Sequence, residues 1–226
     1  MERKYLMQRN QKEVGKNNKR KQYIAIAKLY LGVKTMAKQA KTLNPVELRR
    51  VLDYVATRKH ALRNRALITI SMYSGMRCGE ISNLLYSDVI DAEGKVRNEI
   101  RLRAEDTKTK EARTVFVSEK LQKELQQYAK VYKPKDVNVK FIYSQKEDSD
   151  GFSPNTLCQL YFNIYKGAGL QNCSSHSGRR TFATSLSSSG VSIRVLQKLL
   201  GHKNIQTTSI YVDANDDMLR KAVNLA

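Results

Sequence analysis

Near the C-terminus, two histidines, two adjacent arginines and a tyrosine fall close together, and each of these side chains can grip or attack a phosphate. His176, Arg179 and Arg180 lie in Ser-Ser-His-Ser-Gly-Arg-Arg-Thr-Phe-Ala-Thr from Ser174 to Thr184, His202 follows Leu200-Gly201, and Tyr211 ends Thr207-Thr208-Ser209-Ile210-Tyr211. A guanidinium stays charged and donates hydrogen bonds in a planar fork that matches phosphate oxygens. An imidazole moves protons near neutral pH, and a tyrosine hydroxyl is a nucleophile capable of forming a covalent intermediate. Taken singly, each has an ordinary structural explanation. A histidine beside an apolar helix is commonly a hydrogen-bonded structural residue, and one tyrosine among 12 is commonly core. The ordered grouping of these residues with basic residues earlier in the chain points to phosphate chemistry.

The elements that must position them are short helices. Ser174 or Ser175 can cap a helix with Phe182, Ala183 and Leu186 on its apolar side and Gly190 at its end. His176 and Arg179, three apart, project from one face of its first turn, where the helix dipole favours an anion. A second helix starts at Ser192, carries Ile193, Leu196, Leu199 and Leu200 at helical spacing, and stops at Gly201. His202 then sits on a turn, and a third short helix presents Tyr211.

Upstream, Asn44-Pro45 reads as a helix start with Leu48, Val51, Leu52 and Val55 as its buried stripe. Arg65 to Ser74 is dense in apolar residues and reads as a central core helix closed by Gly75. Met76 to Ile81 opens a further helix through Leu85, placing Arg77 at a helix junction and Glu80 three residues on, able to hold Arg77's orientation. From Asp88 to Val117 the pattern turns to strands: Asp88-Val89-Ile90, Asn98 to Leu102 and Arg113 to Val117, with a charged hairpin tip at Thr107-Lys108-Thr109-Lys110. Ser118 caps a helix bearing Leu121, Leu125 and Tyr128. Phe141-Ile142-Tyr143 is a short buried element, and Ser153-Pro154 begins a helix with Leu157, Leu160, Tyr161 and Ile164. Asp216 to Ala226 reads as a short tail helix.

Composition narrows the partners. Among 226 residues, 41 Lys and Arg face 21 Asp and Glu, a formal charge of +20, which favours a polyanion: nucleic acid first, an anionic membrane surface second. Half of that excess falls in residues 1–41, where 12 basic residues, Lys19, Arg20 and Lys21 among them, face only Glu2 and Glu13. This tract reads as a DNA-backbone arm, partly disordered or helical. No apolar run approaches the ~20 residues of a membrane span, and the Met1-Glu2-Arg3-Lys4 start has no apolar signal core. Cys78, Cys158 and Cys173 are scattered, without metal spacing, which suggests a reducing, intracellular (cytoplasmic) compartment. The acidic residues Asp148/Asp150 and Asp213/Asp216/Asp217 read as loop and helix-end charge rather than a two-metal centre.

Arg77, Lys108, His176, Arg179, His202 and Tyr211, in that order, resemble the catalytic domain of the tyrosine recombinases, the phage-integrase and Xer-like site-specific DNA recombinases. The likeness covers about Leu43 to Leu219. It rests on Tyr-Ser-Gly-Met-Arg-Cys-Gly-Glu (a Gly-x-Arg-x-x-Glu box), Thr-Lys-Thr-Lys-Glu-Ala-Arg-Thr-Val, His-Ser-Gly-Arg-Arg-Thr-Phe-Ala-Thr, Leu-Leu-Gly-His and Thr-Thr-x-x-Tyr. The resemblance implies a mainly helical α+β fold with a small three-stranded antiparallel sheet. After the basic arm over 1–41 that the charge indicates, it implies a catalytic domain over 42–226 with a C-terminal tail helix at about 214–226, which packs either into a neighbouring protomer, as is often so in this family, or onto its own domain. It further implies that double-stranded DNA sites are cut and rejoined by a dimer or tetramer through a 3′-phosphotyrosyl link, without metal, ATP or other cofactor.

By the same resemblance, Tyr211 is the nucleophile, Arg77 and Arg179 hold the phosphate, and His202 donates to a non-bridging oxygen. His176 serves proton transfer at the tyrosine, and Lys108 is the general acid, preferred to Lys110 because the family's lysine lies five residues before the Arg of Arg-Thr-Val. Lys110, Arg180 and Lys203 join Lys19, Arg20 and Lys21 as DNA contacts. Gly178 stands where the family more often has Leu, which is expected to loosen local packing. The family usually places a separate DNA-clamping domain before the catalytic one, where 41 residues stand here. The competing expectations are a type IB topoisomerase and a non-catalytic DNA-binding relative.

Overall fold

Asn44 starts the first helix by a reciprocal cap. Its side chain accepts from the Glu47 N–H at 2.8 Å, while Glu47 Oε2 accepts from the Asn44 N–H at 3.1 Å. In this computed structural model, which describes residues 39–107, 109–145, 149, 151–211 and 223–224, that helix is α1, Pro45–Ala56, with Val51 and Val55 buried as the spacing predicts. Lys19, Arg20, Lys21 and Lys108 lie outside the described residues, as does all but Val223 and Asn224 of the expected tail helix.

The centre of the unit Ala40–Ala226 is α2, Ala61–Ser74. Leu67, Ile68 and Ile70 are fully buried, and so are Thr69 and Ser71, so the helix is enclosed on nearly every side. It begins four residues before the expected Arg65 and takes in the buried polar pair Arg63 and Asn64, which is satisfied: Arg63 Nε and Nη2 both donate to Asn64 Oδ1, and Arg63 Nη1 donates to Gln145 Oε1 at 2.8 Å. At its end Gly75 adopts φ +64°, and a Cβ there would meet Phe182 Cδ1 at 2.5 Å, so both conformation and space demand glycine.

Next come α3, Cys78–Asn83, and α4, Tyr86–Val89. The sheet has two antiparallel strands, β1 Glu99–Leu102 and β2 Arg113–Phe116, paired Glu99↔Phe116 through Leu102↔Arg113. The third strand expected at Asp88-Val89-Ile90 does not form. Asp88 Oδ2 accepts from the Leu85 N–H at 2.8 Å and the Ile90 N–H bonds back to Tyr86 O at 2.9 Å, which winds the segment into α4. Ile90 keeps only an isolated bridge to Val96.

Ser118 caps α5, Glu119–Val131, and Ser153 with Pro154 starts α6, Pro154–Gly167, whose Tyr161 hydroxyl donates to Leu67 O at 2.8 Å. The C-terminal part holds α7, Ser177–Ser188, α8, Ile193–Leu200, and α9, Gln206–Ser209. Helix α7 lies against α2, and a small second core of Ala183, Leu196 and Leu200, flanked by Phe182, Leu186 and Tyr211, joins α7, α8 and the Tyr211 turn. Among the described residues no helix is long and apolar enough to cross a membrane.

Candidate active site

A helix leaves its last carbonyls without partners, and they sit at the negative end of its dipole. At the end of α8 three arginines from three different segments take them up. Arg113 Nη1 donates to Leu199 O at 2.9 Å, Arg179 Nη2 to Leu200 O at 2.8 Å, and Arg77 Nη2 to Gly201 O at 3.3 Å. Gly201 makes this possible. Its φ of +62° ends the helix, and a Cβ on it would lie 2.6 Å from Arg113 Cδ. The Leu-Gly-His box is thus the platform on which the arginines are gathered.

One buried carboxylate lies among them. Glu80, 1% exposed, accepts from Arg77 Nη1 at 2.9 Å, from the Arg77 backbone N–H at 2.8 Å and from Arg113 Nη2 at 2.7 Å. Burial by itself would raise its pKa, but the Arg113 charge and hydrogen bond, with Arg77 behind them, hold it below the usual carboxylate range. Glu80 therefore orients Arg77, as expected from the spacing, and ties it to Arg113. Against three guanidiniums it leaves an excess of two positive charges.

Arg179 is 4% exposed, and its Nη1 also donates to Gly75 O at 2.5 Å, so it spans the ends of α2 and α8. Burial, and after it the Arg77 charge, push its pKa down from the ordinary guanidinium range. Its Nη2 lies 2.8 Å from His202 Nε2, and His202 Nδ1 lies 2.9 Å from Thr208 Oγ1. Burial and then the Arg179 charge lower the His202 pKa to about 4, so the ring is neutral at neutral pH.

Tyr211 stacks on that ring, with centroids 6.2 Å apart and planes 17° from parallel, and the Arg180 guanidinium lies 5.7 Å from the tyrosine centroid. Arg77, Glu80, Arg179, His202 and Tyr211 are thus brought together within one chain. His176 stands exposed one turn before Arg179 at the N-cap of α7. There the Ser174 hydroxyl accepts from its backbone N–H at 3.2 Å, so the expected serine bond comes one residue outside the helix.

Of the other expected DNA contacts, Lys110 has φ +56° and its Nζ donates to Glu105 O at 3.4 Å on the hairpin tip. Lys203 pairs with Glu111 at 3.1 Å, both side chains more than half exposed. Arg180 is half-buried against Tyr211 rather than set on an open face. Among the described residues no cluster of His, Cys, Asp and Glu is arranged to hold a metal.

Two residues escaped the sequence reading. Arg113 had a signal: strand alternation puts it on the side of buried Val115, and an inward arginine needs partners. Thr208 had a weaker one, its place three residues before Tyr211 on one helical face. Gly178 also differs from expectation. A Cβ there would lie 2.3 Å from Ser71 Oγ and 2.8 Å from Ser71 Cβ, so glycine lets α7 close tightly onto α2 and does not loosen the packing.

Residues 41–218 match the phage integrase family. The chain belongs to that family. Among its relatives, this integrase-family chain is 26% identical over 186 residues to the tyrosine recombinase XerA of Pyrococcus furiosus, covering 82% of this chain and 62% of that protein. The crystal structure of a XerA recombinase superposes with a TM-score of 0.65 at 28% identity, over 84% of this chain and 66% of that one. The Tn1549 transposon integrase, solved with a circular intermediate DNA, gives 0.68 at 20% identity over 86% and 68%, a likeness of fold. The fold is that of the tyrosine recombinase catalytic domain, and the chain spans little over half the length of such relatives as XerA of Pyrococcus horikoshii, 55% in that case.

Proposed function

We propose that this chain carries the catalytic domain of a site-specific tyrosine recombinase, which cuts and rejoins double-stranded DNA. The observation that carries this reading is the buried cluster of Arg77, Arg113 and Arg179 around one carboxylate, with Tyr211 beside it. Two uncompensated positive charges in a low-dielectric setting favour an anion strongly, and a phosphodiester brings one negative charge to the point where Tyr211 can reach it.

Tyr211 Oη attacks the scissile phosphorus as its proton passes to a base, a role this reading assigns to His176. The bond from phosphorus to the 5′-oxygen breaks, and Lys108 supplies the proton that makes the leaving group a 5′-hydroxyl. The DNA is left joined by its 3′-phosphate to Tyr211. A 5′-hydroxyl from the exchanged strand then attacks the phosphotyrosine and reverses the step, so the energy of the original phosphodiester is kept and neither ATP nor metal is required. The pentacoordinate transition state places extra charge on the non-bridging oxygens, and the planar forks of Arg77 and Arg179 answer it. Glu80 and Arg113 hold those forks. His202 adds a donor there once Nε2 bears a proton.

The same reading makes residues 1–41 a basic arm along the DNA backbone, residues 42–226 the catalytic domain, and Lys110, Lys203 and Arg180 contributors to DNA contact. It also makes the working form a dimer or tetramer on DNA, inside the cell. The test is a nicked suicide DNA carrying candidate sites, incubated with wild type and with Tyr211→Phe and resolved on a denaturing gel. A covalent adduct with a free 5′-hydroxyl that is lost in the variant is expected. Tight DNA binding without any adduct would favour a non-catalytic relative.

A further inference from the structure

An arginine can only donate hydrogen bonds. At the 2.8 Å contact between Arg179 Nη2 and His202 Nε2, the histidine nitrogen must therefore be the acceptor, with its lone pair unprotonated. An imidazolium, or a neutral ring protonated on Nε2, would set two donors against each other. A neutral ring with a bare Nε2 carries its hydrogen on Nδ1, and that hydrogen points at Thr208 Oγ1, 2.9 Å away. Thr208 is fully buried, so no water competes for that contact.

We propose that Thr208 is a positioning residue: by accepting from His202 Nδ1–H it satisfies the tautomer that Arg179 imposes and holds the ring with Nε2 facing Arg179 as the one ring atom free to change its role. The inference rests on the reading of His202 as part of the phosphate site. It deepens that reading, because it says how a histidine among arginines becomes a donor. The groups facing His202 are Arg179 from α7, Arg77 and Glu80 from the start of α3, Arg113 from β2 and the Tyr211 ring. Three of these are cations, and they disfavour a second proton on the ring.

A phosphate oxygen that draws Arg179 away from Nε2 removes the partner of that lone pair and brings a negative charge instead. Both changes favour protonation at Nε2, after which Nε2–H can donate to the oxygen. Thr208 accepts from Nδ1–H before and after, so the ring need not turn. The proton lands on the atom that faces the phosphate. The same threonine is tied to the nucleophile, because the Tyr211 N–H donates to Thr208 O at 3.0 Å. Ring orientation and the tyrosine backbone are thereby tied to one residue.

The test compares wild type with Thr208→Ser, which keeps the hydroxyl, and Thr208→Val, which keeps the shape and loses it. The first readout is the ring-nitrogen NMR spectrum of the full chain labelled with 15N-histidine, which has only His60, His176 and His202 to assign. Wild type and Thr208→Ser are expected to show a protonated Nδ1 and a bare Nε2 at His202, and Thr208→Val to lose that pattern. A protonated Nε2 in neutral wild type overturns the proposal, and so does a Thr208→Val spectrum identical to wild type.

The second readout is the single-turnover rate of adduct formation on the nicked DNA, beside DNA affinity and thermal midpoint. Thr208→Val is expected to slow the step roughly 10- to 100-fold, by analogy with the loss seen when a group that orients a metal-bound histidine is removed. DNA affinity should be near wild type and Thr208→Ser should restore the rate. An unchanged rate in Thr208→Val overturns the proposal. Because the nitrogen spectrum needs no DNA, it decides the role of Thr208 even if no DNA gives an adduct and the recombinase reading falls.

Discussion

Glu80 is the residue on which the arginine cluster depends. It is one carboxylate bonded to two guanidiniums and a backbone N–H, at 1% exposure. Removing one partner of a buried pair costs about 3–5 kcal/mol, because the remaining charges are stranded. Glu80→Gln keeps the shape but turns an amide toward donors. We expect it to lower the thermal midpoint by on the order of 10 °C for a unit of this size. The pH dependence has a definite sign. The folded-state pKa of Glu80 lies below its ordinary 4.5, so its contribution is complete above about pH 4.5 and is lost as pH falls through the folded value. The gap between wild type and Glu80→Gln should therefore be widest near neutral pH and shrink in acid. Equal gaps at pH 7 and pH 3, measured by denaturant titration, would show that the carboxylate charge is not what holds the cluster.

At the scale of elements, local signals in the chain announced most of the helices, since caps and apolar spacing are local physics. Asn44-Pro45, Ser118, Ser153-Pro154 and Ser192 each start a helix where the residues say so. The third strand was misread because Val89-Ile90 has strand-forming side chains, whereas Asp88 reaches back to the Leu85 N–H and a backbone bond outweighs propensity. The candidate site was legible as a list of residues but not as a structure. Nothing in the spacing of Leu-Leu-Gly-His says that its three successive carbonyls, Leu199 to Gly201, would each receive a different arginine. Gly178 is the other element-scale lesson, since its role depends on Ser71, more than a hundred residues away. Gly178→Ala should destabilise by about 1–3 kcal/mol through overpacking between α2 and α7. Ser71→Gly on the same chain should recover part of that loss, because it removes the atoms struck. Strict additivity of the two changes in chemical denaturation would refute this account of the packing.

For the whole molecule, the charge of +20 has to be reconciled with a site that itself holds an excess of only two positive charges. The rest lies outside the cluster, with half of the whole chain's excess in residues 1–41, so two separable contributions to DNA binding are expected. On the proposed reading the site would contribute one phosphate gripped with geometric precision, and the dispersed lysines and arginines would contribute affinity through release of counterions, which is insensitive to sequence and steeply dependent on salt. The two can be told apart by neutralising Lys19, Arg20 and Lys21 together to Gln. If each contacts a phosphate, the slope of log Kobs against log salt should become shallower by about 2 to 3, since each contact contributes about 0.9. Affinity should fall by a similar factor on cognate and random DNA, because backbone contacts carry no base readout. The rate of adduct formation on saturating DNA should stay that of wild type, since these residues are assigned to binding and not to the reacting phosphate. A slope unmoved by the triple change would remove the basic tract from the DNA interface and return that role to Lys110, Arg180 and Lys203, whereas a flat salt response in the wild type would remove all of them.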